Sequence, residues 1–200
     1  MPGARFDGGS LLPPGEPIGS LSLANKISLG RILLAPCVVA SLLYYSPSRD
    51  WLRYVCLGLF LAGVISDAVD GFIARSKHQQ SQLGALLDPL ADKFLILSTL
   101  ISFSTIHDLP DSLRIPAWFN LVVISRDAIV VAGTFLVAGM KGHVTVRPSW
   151  LGKWTIASQM MVVLVVLLQV PYKFEALILS ATLTVLSGIG YLRTGAKLLS

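Results

Sequence analysis

Residues 66–93 read SDAVDGFIARSKHQQSQLGALLDPLADK and carry four aspartates between two stretches that are otherwise apolar. These aspartates are Asp67, Asp70, Asp88 and Asp92. The first two are three residues apart and the second two are four apart, and at either spacing two residues of an α-helix share one face. The segment therefore predicts an antiparallel pair of helices, each with two carboxylates, joined by a short loop at residues 76–85.

Apolar runs on both sides of this segment predict an all-α integral membrane protein. Of the 200 residues, 54% are hydrophobic and 14% are charged, whereas roughly one quarter of a soluble domain is charged. The runs are long enough for six transmembrane helices in one bundle. They cover residues 27–46, 53–75, 86–106, 115–139, 151–170 and 174–192. We expect one membrane domain, residues 21–200, after a flexible Gly- and Pro-rich cytoplasmic tail at residues 1–20.

Lysine and arginine predict the orientation of the bundle. With both termini in the cytoplasm, ten of the 16 basic residues fall on the inner side and four on the outer side, in agreement with the positive-inside rule. The outer four are Arg49, Arg53, Arg114 and Lys173. The protein is then a multi-pass protein of the inner (cytoplasmic) membrane, and its aspartates lie at the cytoplasmic face. Loop charges and attraction to anionic headgroups account for the net charge of +5, so no nucleic acid is expected as a partner.

Four carboxylates at the ends of membrane spans need a compensating partner. A carboxylate deep in a span costs about 2.5–3.5 kcal/mol, and neighbouring carboxylates also repel one another. Acids grouped in this way share protons or bind cations, and two divalent ions would neutralise all four charges. Ligands that are all oxygen suit Mg²⁺ or Mn²⁺, and a pair of such ions stabilises both attack and departure at phosphorus. The aspartates therefore predict a site for two divalent ions.

Small and basic residues accompany the acids. The small ones are Gly71, Ala74, Gly84 and Ala85. They leave room for a ligand to approach the helices closely, and Arg75 supplies a guanidinium that can hold a diphosphate.

With these residues in place, the segment resembles the signature of the CDP-alcohol phosphatidyltransferases. The pattern is Asp67-x-x-Asp70-Gly71-x-x-Ala74-Arg75, then eight residues, then Gly84-x-x-x-Asp88-x-x-x-Asp92. The resemblance extends from about residue 24 to residue 197. It implies an enzyme that transfers a phosphatidyl group from CDP-diacylglycerol to an alcohol and releases CMP, and it also implies a homodimer.

The resemblance implies a role for each signature residue. Asp67, Asp70 and Asp88 would bind the metal ions, while Asp92 would deprotonate the acceptor hydroxyl and also contribute to the second metal. Gly71, Ala74, Arg75 and Gly84 would contact the cytidine diphosphate.

The sequences flanking the signature indicate the acceptor. LANKISLGRILLAP at residues 23–36 resembles the branch that contains phosphatidylglycerophosphate synthases and cardiolipin synthases of the eukaryotic type. We expect glycerol 3-phosphate as acceptor, with phosphatidylglycerol as the alternative. Arg126-Asp127 stands where the glycerophosphate enzymes usually have Arg-Glu, and this departure favours the alternative. The candidates for binding the acceptor are Arg126, Lys153, Lys93 and Arg31.

Structural roles are the alternatives for these four cations. Arg126 can pair with Asp127, Lys153 and Arg31 can anchor helix ends at the membrane surface, and Lys93 can balance the charge of the acids. A different class of function is a divalent-cation channel or carrier. It is disfavoured because the acids gather at one membrane face and no matching polar residues continue through the last two spans.

Overall fold

The computed structural model describes residues 23–77, 82–141 and 150–199, with side chains at residues 30–66, 93–133 and 150–193. This part of the chain is helical, without strands. Its helices are α1 (Leu23–Leu43), α2 (Trp51–Lys77), α3 (Gln82–Thr105), α4 (Ala117–Lys141), α5 (Trp150–Leu167) and α6 (Lys173–Leu199), with a short 3-10 helix at Pro47–Arg49. The prediction of an all-α chain with six long helices is confirmed. The predicted tail at residues 1–20 lies outside the described residues.

The loop predicted at residues 76–85 is too long. Helix α2 continues to Lys77 and α3 already begins at Gln82. Polar residues at the end of a membrane span are compatible with a loop and with a solvated helical turn alike, and most residues of QLGALL are good helix formers. The signature residue Gly84 is therefore helical.

Helix α1 packs along both α2 and α3, which contact each other much less than either contacts α1. A direct α2–α3 contact is present at Gly63, where a Cβ atom would overlap Cδ2 of Leu95 and lie 3.8 Å from Cδ1 of Leu34. A side chain at residue 63 would thus require Leu95 to move. Helix α1 therefore makes the most extensive contacts within this group of three helices.

The core is formed by apolar side chains that each helix directs into the bundle. The fully buried large ones include Leu42 of α1, Phe60 of α2, Leu95 and Phe103 of α3, Phe119 of α4, Val163 of α5 and Leu177 of α6. Helix α6 packs against both α4 and α5. The bundle thus has two groups of helices, one around α1 and one around α6, and α3 contacts members of both groups.

Large apolar side chains are also exposed on all six helices. Such a surface is unfavourable in water but suits contact with lipid. Among the described residues, Trp150–Leu167 and Lys173–Arg193 are long and apolar enough to cross a membrane. Shorter apolar segments occur at Gly30–Leu43, Trp51–Ser66 and Lys93–Thr105.

Three loops meet at one end of the bundle. Nζ of Lys173, at the start of α6, donates to the carbonyl oxygens of Asp111 at 2.5 Å and Arg114 at 3.2 Å, which joins the α5–α6 loop to the α3–α4 loop. Nη1 of Arg53 donates to the carbonyl oxygen of Leu167 at 2.8 Å, which joins the start of α2 to the end of α5. These loops therefore lie on the same side of the bundle.

Candidate active site

The backbone places the four signature aspartates on continuous helices. Asp67 and Asp70 lie in the second half of α2, and Asp88 and Asp92 lie in the first half of α3. A spacing of three or four residues on a regular helix puts both members of a pair on one face. Their side chains lie outside the described residues, so the predicted metal contacts stay a prediction. The same holds for the nucleotide contacts predicted for Gly71, Ala74, Arg75 and Gly84.

The described side chains resume at Lys93, the residue directly after Asp92. Its Nζ lies 3.1 Å from Oδ1 of Asp127 on α4. This ion pair joins α3 to α4 one residue along the chain from the predicted catalytic base. Asp127 is therefore beside the acid-bearing part of α3, although 35 residues separate it from Asp92 in sequence.

Arg126 contacts the same carboxylate oxygen. Its Nη1 donates to Oδ1 of Asp127 at 2.7 Å, and its Nη2 donates to Oγ of Ser187 on α6 at 2.8 Å. The guanidinium carbon lies 5.8 Å from the ring centroid of Tyr191, a distance that allows a cation–π interaction. Helix α6 passes close to Arg126 here, because a Cβ atom at Gly188 would lie in ordinary van der Waals contact with Cγ of Arg126, at 3.5 Å. Arg126 thus ties α4 to α6.

Arg126, Asp127 and Lys93 form a group with one excess positive charge, in which Arg126 is buried and the other two side chains are partly buried. We call Lys93 and Arg126 the cation pair and Asp127 its bridging carboxylate. Arg126 is 7% exposed, and Asp127 is the one carboxylate among the described residues that contacts either cation. Nε of Arg126 is buried without a hydrogen-bond partner in the described part of the chain. Leaving such a donor unsatisfied costs about 1–3 kcal/mol. The excess positive charge of the group makes it suited to an anionic ligand.

The other two acceptor-binding candidates lie elsewhere. Arg31 is 1% exposed within α1, which makes it a core residue rather than an exposed anchor of the helix end. Lys153 is exposed near the start of α5, with Nζ 5.5 Å from the ring centroid of Trp150. Among the described residues Lys153 takes no part in the Arg126 contacts. Its position matches that of an anchor at a membrane surface.

The partners of Arg126 on α6 were not predicted from the sequence. Ser187 and Tyr191 are four residues apart, so they share a helix face, and this polar face within an apolar span is the signal that could have pointed to them. Tyr191 alone is equally typical of an aromatic residue at the membrane interface. Only the packing of α6 against α4 brings both residues to Arg126.

The predicted metal site can be assessed from the chemistry of its donors. Among the described residues, no group of three His, Cys, Asp or Glu side chains could hold a metal ion. The four aspartates lie outside that set, and as carboxylates on two helices they offer the oxygen ligands that Mg²⁺ and Mn²⁺ prefer. The donor set fits a pair of hard divalent ions.

Comparison with known proteins identifies the family. The family model for CDP-alcohol phosphatidyltransferase matches residues 21–187. The chain belongs to the CDP-alcohol phosphatidyltransferase family. This confirms the resemblance based on the signature, and family members generally use divalent metal ions.

Individual members of the family are similar over most of the chain. The "CDP-diacylglycerol--glycerol-3-phosphate 3-phosphatidyltransferase 2" of Arabidopsis thaliana is 30% identical over 89% of this chain and 75% of its own length. The "Probable phosphatidylglycerophosphate synthase" of Mycobacterium tuberculosis is 31% identical over 85% of this chain and 79% of its own length. The "Cardiolipin synthase (CMP-forming)" of Oryza sativa subsp. japonica is 30% identical over 79% of this chain and 48% of its own length.

Proposed function

We propose that this CDP-alcohol phosphatidyltransferase transfers the phosphatidyl group of CDP-diacylglycerol to glycerol 3-phosphate, giving phosphatidylglycerophosphate and CMP. The observation that supports an anionic acceptor is the cation pair of Lys93 and Arg126, in which Arg126 is buried and Lys93 directly follows Asp92 on α3. An acceptor that carries a phosphate supplies the anion this pair needs. Relatives named for the same reaction, from Arabidopsis thaliana and Mycobacterium tuberculosis, support the proposal.

Asp67, Asp70 and Asp88, together with Asp92, would hold two divalent ions. When bound, the ions would supply positive charge that stabilises the charge gathering on the diphosphate. Arg75 would add its guanidinium to the same diphosphate. Gly71, Ala74 and Gly84 would let the nucleotide lie close to the two helices.

Asp92 would act as the general base. It would take the proton of the acceptor hydroxyl, whose oxygen then forms a bond to the phosphorus that carries the diacylglycerol. The bond from that phosphorus to the bridging oxygen breaks, and CMP leaves with the electron pair. The hydroxyl must lie within hydrogen-bond reach of Asp92, and this is why a phosphate site beside the same part of α3 is useful.

Lys93 and Arg126 would bind the acceptor phosphate. A guanidinium offers planar, directional donors that match phosphate oxygens, and an ammonium adds a compact charge. The exposed Lys153 would attract the anionic acceptor towards the membrane surface, and the buried Arg31 would contribute its charge from α1. Of the four candidates, the contacts of Lys93 and Arg126 support a role in binding most directly.

Phosphatidylglycerol is the second candidate acceptor, which would make the product cardiolipin. Arg126 is followed by Asp127 instead of the glutamate usual in the glycerophosphate enzymes, and the relative from Oryza sativa is named as a cardiolipin synthase. The phosphodiester of phosphatidylglycerol is also an anion that the cation pair can bind. Membership of a family of transferases argues against a cation channel or carrier.

We further propose that all six helices cross the inner membrane, with both termini and the aspartates at the cytoplasmic face, and that two copies associate. The apolar surface on all six helices supports the spanning arrangement. The joined loops at the opposite end support placing both termini on one side. The orientation is tested in a protein whose Cys37 and Cys56 are replaced by alanine. Single cysteines are introduced there at Ser10 and Ser112, and their accessibility to a membrane-impermeant reagent is measured. The mass of the protein in nanodiscs tests the dimer.

The activity is tested with purified protein in nanodiscs that contain CDP-diacylglycerol, with Mg²⁺ present. Glycerol 3-phosphate and phosphatidylglycerol are offered in separate reactions, and CMP and the lipid products are measured by mass spectrometry. Release of CMP and formation of phosphatidylglycerophosphate with glycerol 3-phosphate would support the first proposal. Cardiolipin formed from phosphatidylglycerol alone would support the second, and no CMP release with either acceptor would contradict both.

A further inference from the structure

One oxygen of Asp127 holds two cations that come from different helices. Oδ1 lies 2.7 Å from Nη1 of Arg126, its neighbour on α4, and 3.1 Å from Nζ of Lys93 on α3. Two like charges repel each other, and a carboxylate between them offsets that repulsion. Asp127 therefore holds Lys93 and Arg126 near the same oxygen.

Arg126 is also held on its other sides. Nη2 donates to Oγ of the buried Ser187, and the guanidinium faces the ring of Tyr191. These contacts set the plane of the guanidinium. Within the described residues they leave the buried Nε without a partner. The side chain of Arg126 is thus already held in one orientation before a ligand binds, which reduces the conformational entropy lost on binding.

We propose that Asp127 is a positioning residue that fixes Lys93 and Arg126 side by side as one phosphate site for the acceptor. Asp127 need not touch the acceptor itself, because its effect passes through the two cations. The inference rests on the proposed function and adds to it the residue that builds the acceptor site. It accounts for a partly buried carboxylate that belongs to neither the aspartate signature nor the predicted nucleotide contacts.

Asp127→Asn is the direct test, because asparagine has the same shape but lacks the charge that holds two cations together. The acceptor is the one that the wild-type protein uses in the nanodisc assay. We expect the KM for that acceptor to rise by roughly tenfold or more, as for a lost charge-assisted interaction. The KM for CDP-diacylglycerol should change by less than about twofold, since an acceptor-specific effect leaves donor binding unaltered.

Two further measurements distinguish positioning from a general structural role. Asp127→Glu keeps the charge and should return the acceptor KM to within roughly threefold of wild type. Inorganic phosphate, used as a competitive inhibitor of the acceptor, should bind less tightly to the Asp127→Asn protein by a factor similar to the rise in KM. A protein that had only lost stability would show neither rescue by glutamate nor a selective loss of phosphate binding.

Asp50→Asn is a matched control. Asp50 also accepts a hydrogen bond from an arginine, with Nη2 of Arg53 at 2.8 Å, but it lies in the loop between α1 and α2. The acceptor KM should be unchanged in this variant. An equal rise in Asp50→Asn and Asp127→Asn would overturn the proposal, and so would an unchanged acceptor KM in Asp127→Asn.

The double variant Lys93→Met/Asp127→Asn keeps the inference testable if Asp127→Asn does not fold. It removes one cation together with the carboxylate, so the net charge of the group stays at +1, as in the wild-type protein. We expect its acceptor KM to be raised by about as much as that of Lys93→Met alone, because the two residues act as one unit. If the rise in acceptor KM of the double variant equalled the product of the rises in the two single variants, the residues would act independently and the proposal would be overturned. Absence of CMP release by the wild-type protein would instead contradict the proposed function.

Discussion

Arg53 and Leu167 lie 114 residues apart in the chain and are joined by a hydrogen bond of 2.8 Å from Nη1 to the backbone carbonyl oxygen. Leu167 is the last residue of α5, and the residue four positions later is Pro171, which has no N–H to donate to that carbonyl. Gln169, with φ of 54°, turns the chain through the left-handed conformation that often ends a helix. Arg53 thus donates a hydrogen bond to the carbonyl oxygen of Leu167, for which α5 itself provides no N–H donor.

Replacing Arg53 by methionine should destabilise the bundle. The variant loses the bond to Leu167 and both bonds to Asp50, in which Nε donates to Oδ1 at 3.0 Å and Nη2 to Oδ2 at 2.8 Å. A hydrogen bond to a charged group contributes about 1.5–3 kcal/mol, so we expect a loss of that order in the free energy of unfolding. Thermal unfolding in detergent measures it. The exposed Arg49, replaced in the same way, is the control, and equal losses in both variants would contradict the capping role.

Acidification should weaken the same cluster. Hydrogen bonds from Arg53 hold the pKa of Asp50 below its ordinary value, and the hydroxyl of Tyr45, which donates to Oδ1 at 3.1 Å, acts in the same direction. A carboxyl whose pKa is lower in the folded than in the unfolded protein stabilises the fold above its unfolded pKa of about 3.9. That contribution is lost as the pH falls through the folded pKa. Unfolding temperatures measured from pH 6 downward should therefore fall less steeply below pH ~4 for Asp50→Asn than for wild type. Parallel curves would show that Asp50 contributes nothing.

The sequence predicted the helices well because apolar runs of this length have few alternatives. Contacts between residues far apart in the chain could not be predicted from the sequence. Arg53 was expected as an outer-surface charge, but it is 8% exposed and bonds to a carbonyl on another helix. Asp127 was recognised only as a neighbour of Arg126, because nothing in the spacing shows that α3 brings Lys93 to the same oxygen. The aspartate signature could be predicted because its spacing is local to two helices.

Gly63 and Gly58 of α2 should respond in opposite ways to alanine. A Cβ atom at Gly63 would overlap the fully buried Leu95, whereas a Cβ atom at Gly58 would meet nothing within 4 Å. Overpacking of this kind costs about 1–3 kcal/mol, so Gly63→Ala should lower the unfolding temperature. Gly58→Ala should leave stability unchanged or raise it by up to about 1 kcal/mol, because alanine favours the helix. A Gly63→Ala protein as stable as Gly58→Ala would show that Leu95 moves aside freely.

Asp92→Asn should strongly reduce turnover without abolishing nucleotide binding. Loss of a general base lowers the rate by about 10²- to 10⁴-fold, while the amide still fits beside the donor. CMP release measures turnover, and equilibrium binding of CDP-diacylglycerol measures the donor site. Asp67→Asn is the comparison, since we expect it to raise the Mg²⁺ concentration needed for activity. Loss of CDP-diacylglycerol binding in Asp92→Asn would contradict the role of Asp92 as the base.

Arg126→Lys tests whether acceptor binding needs the directional donors of a guanidinium or only a positive charge. Lysine keeps the positive charge but cannot donate to Asp127 and Ser187 from two fixed nitrogens while offering a third N–H to a ligand. Loss of one charge-assisted bond of about 1.5–3 kcal/mol corresponds to a rise in acceptor KM of roughly tenfold or more.

The KM for CDP-diacylglycerol should stay unchanged in Arg126→Lys, and the same substitution at the exposed Arg193 near the end of α6 is the control. If Arg126 only held α4 against α6, the lysine variant would unfold at a lower temperature but keep its acceptor KM. The kinetic and thermal measurements together therefore decide between an arginine that binds substrate and one that only binds two helices together.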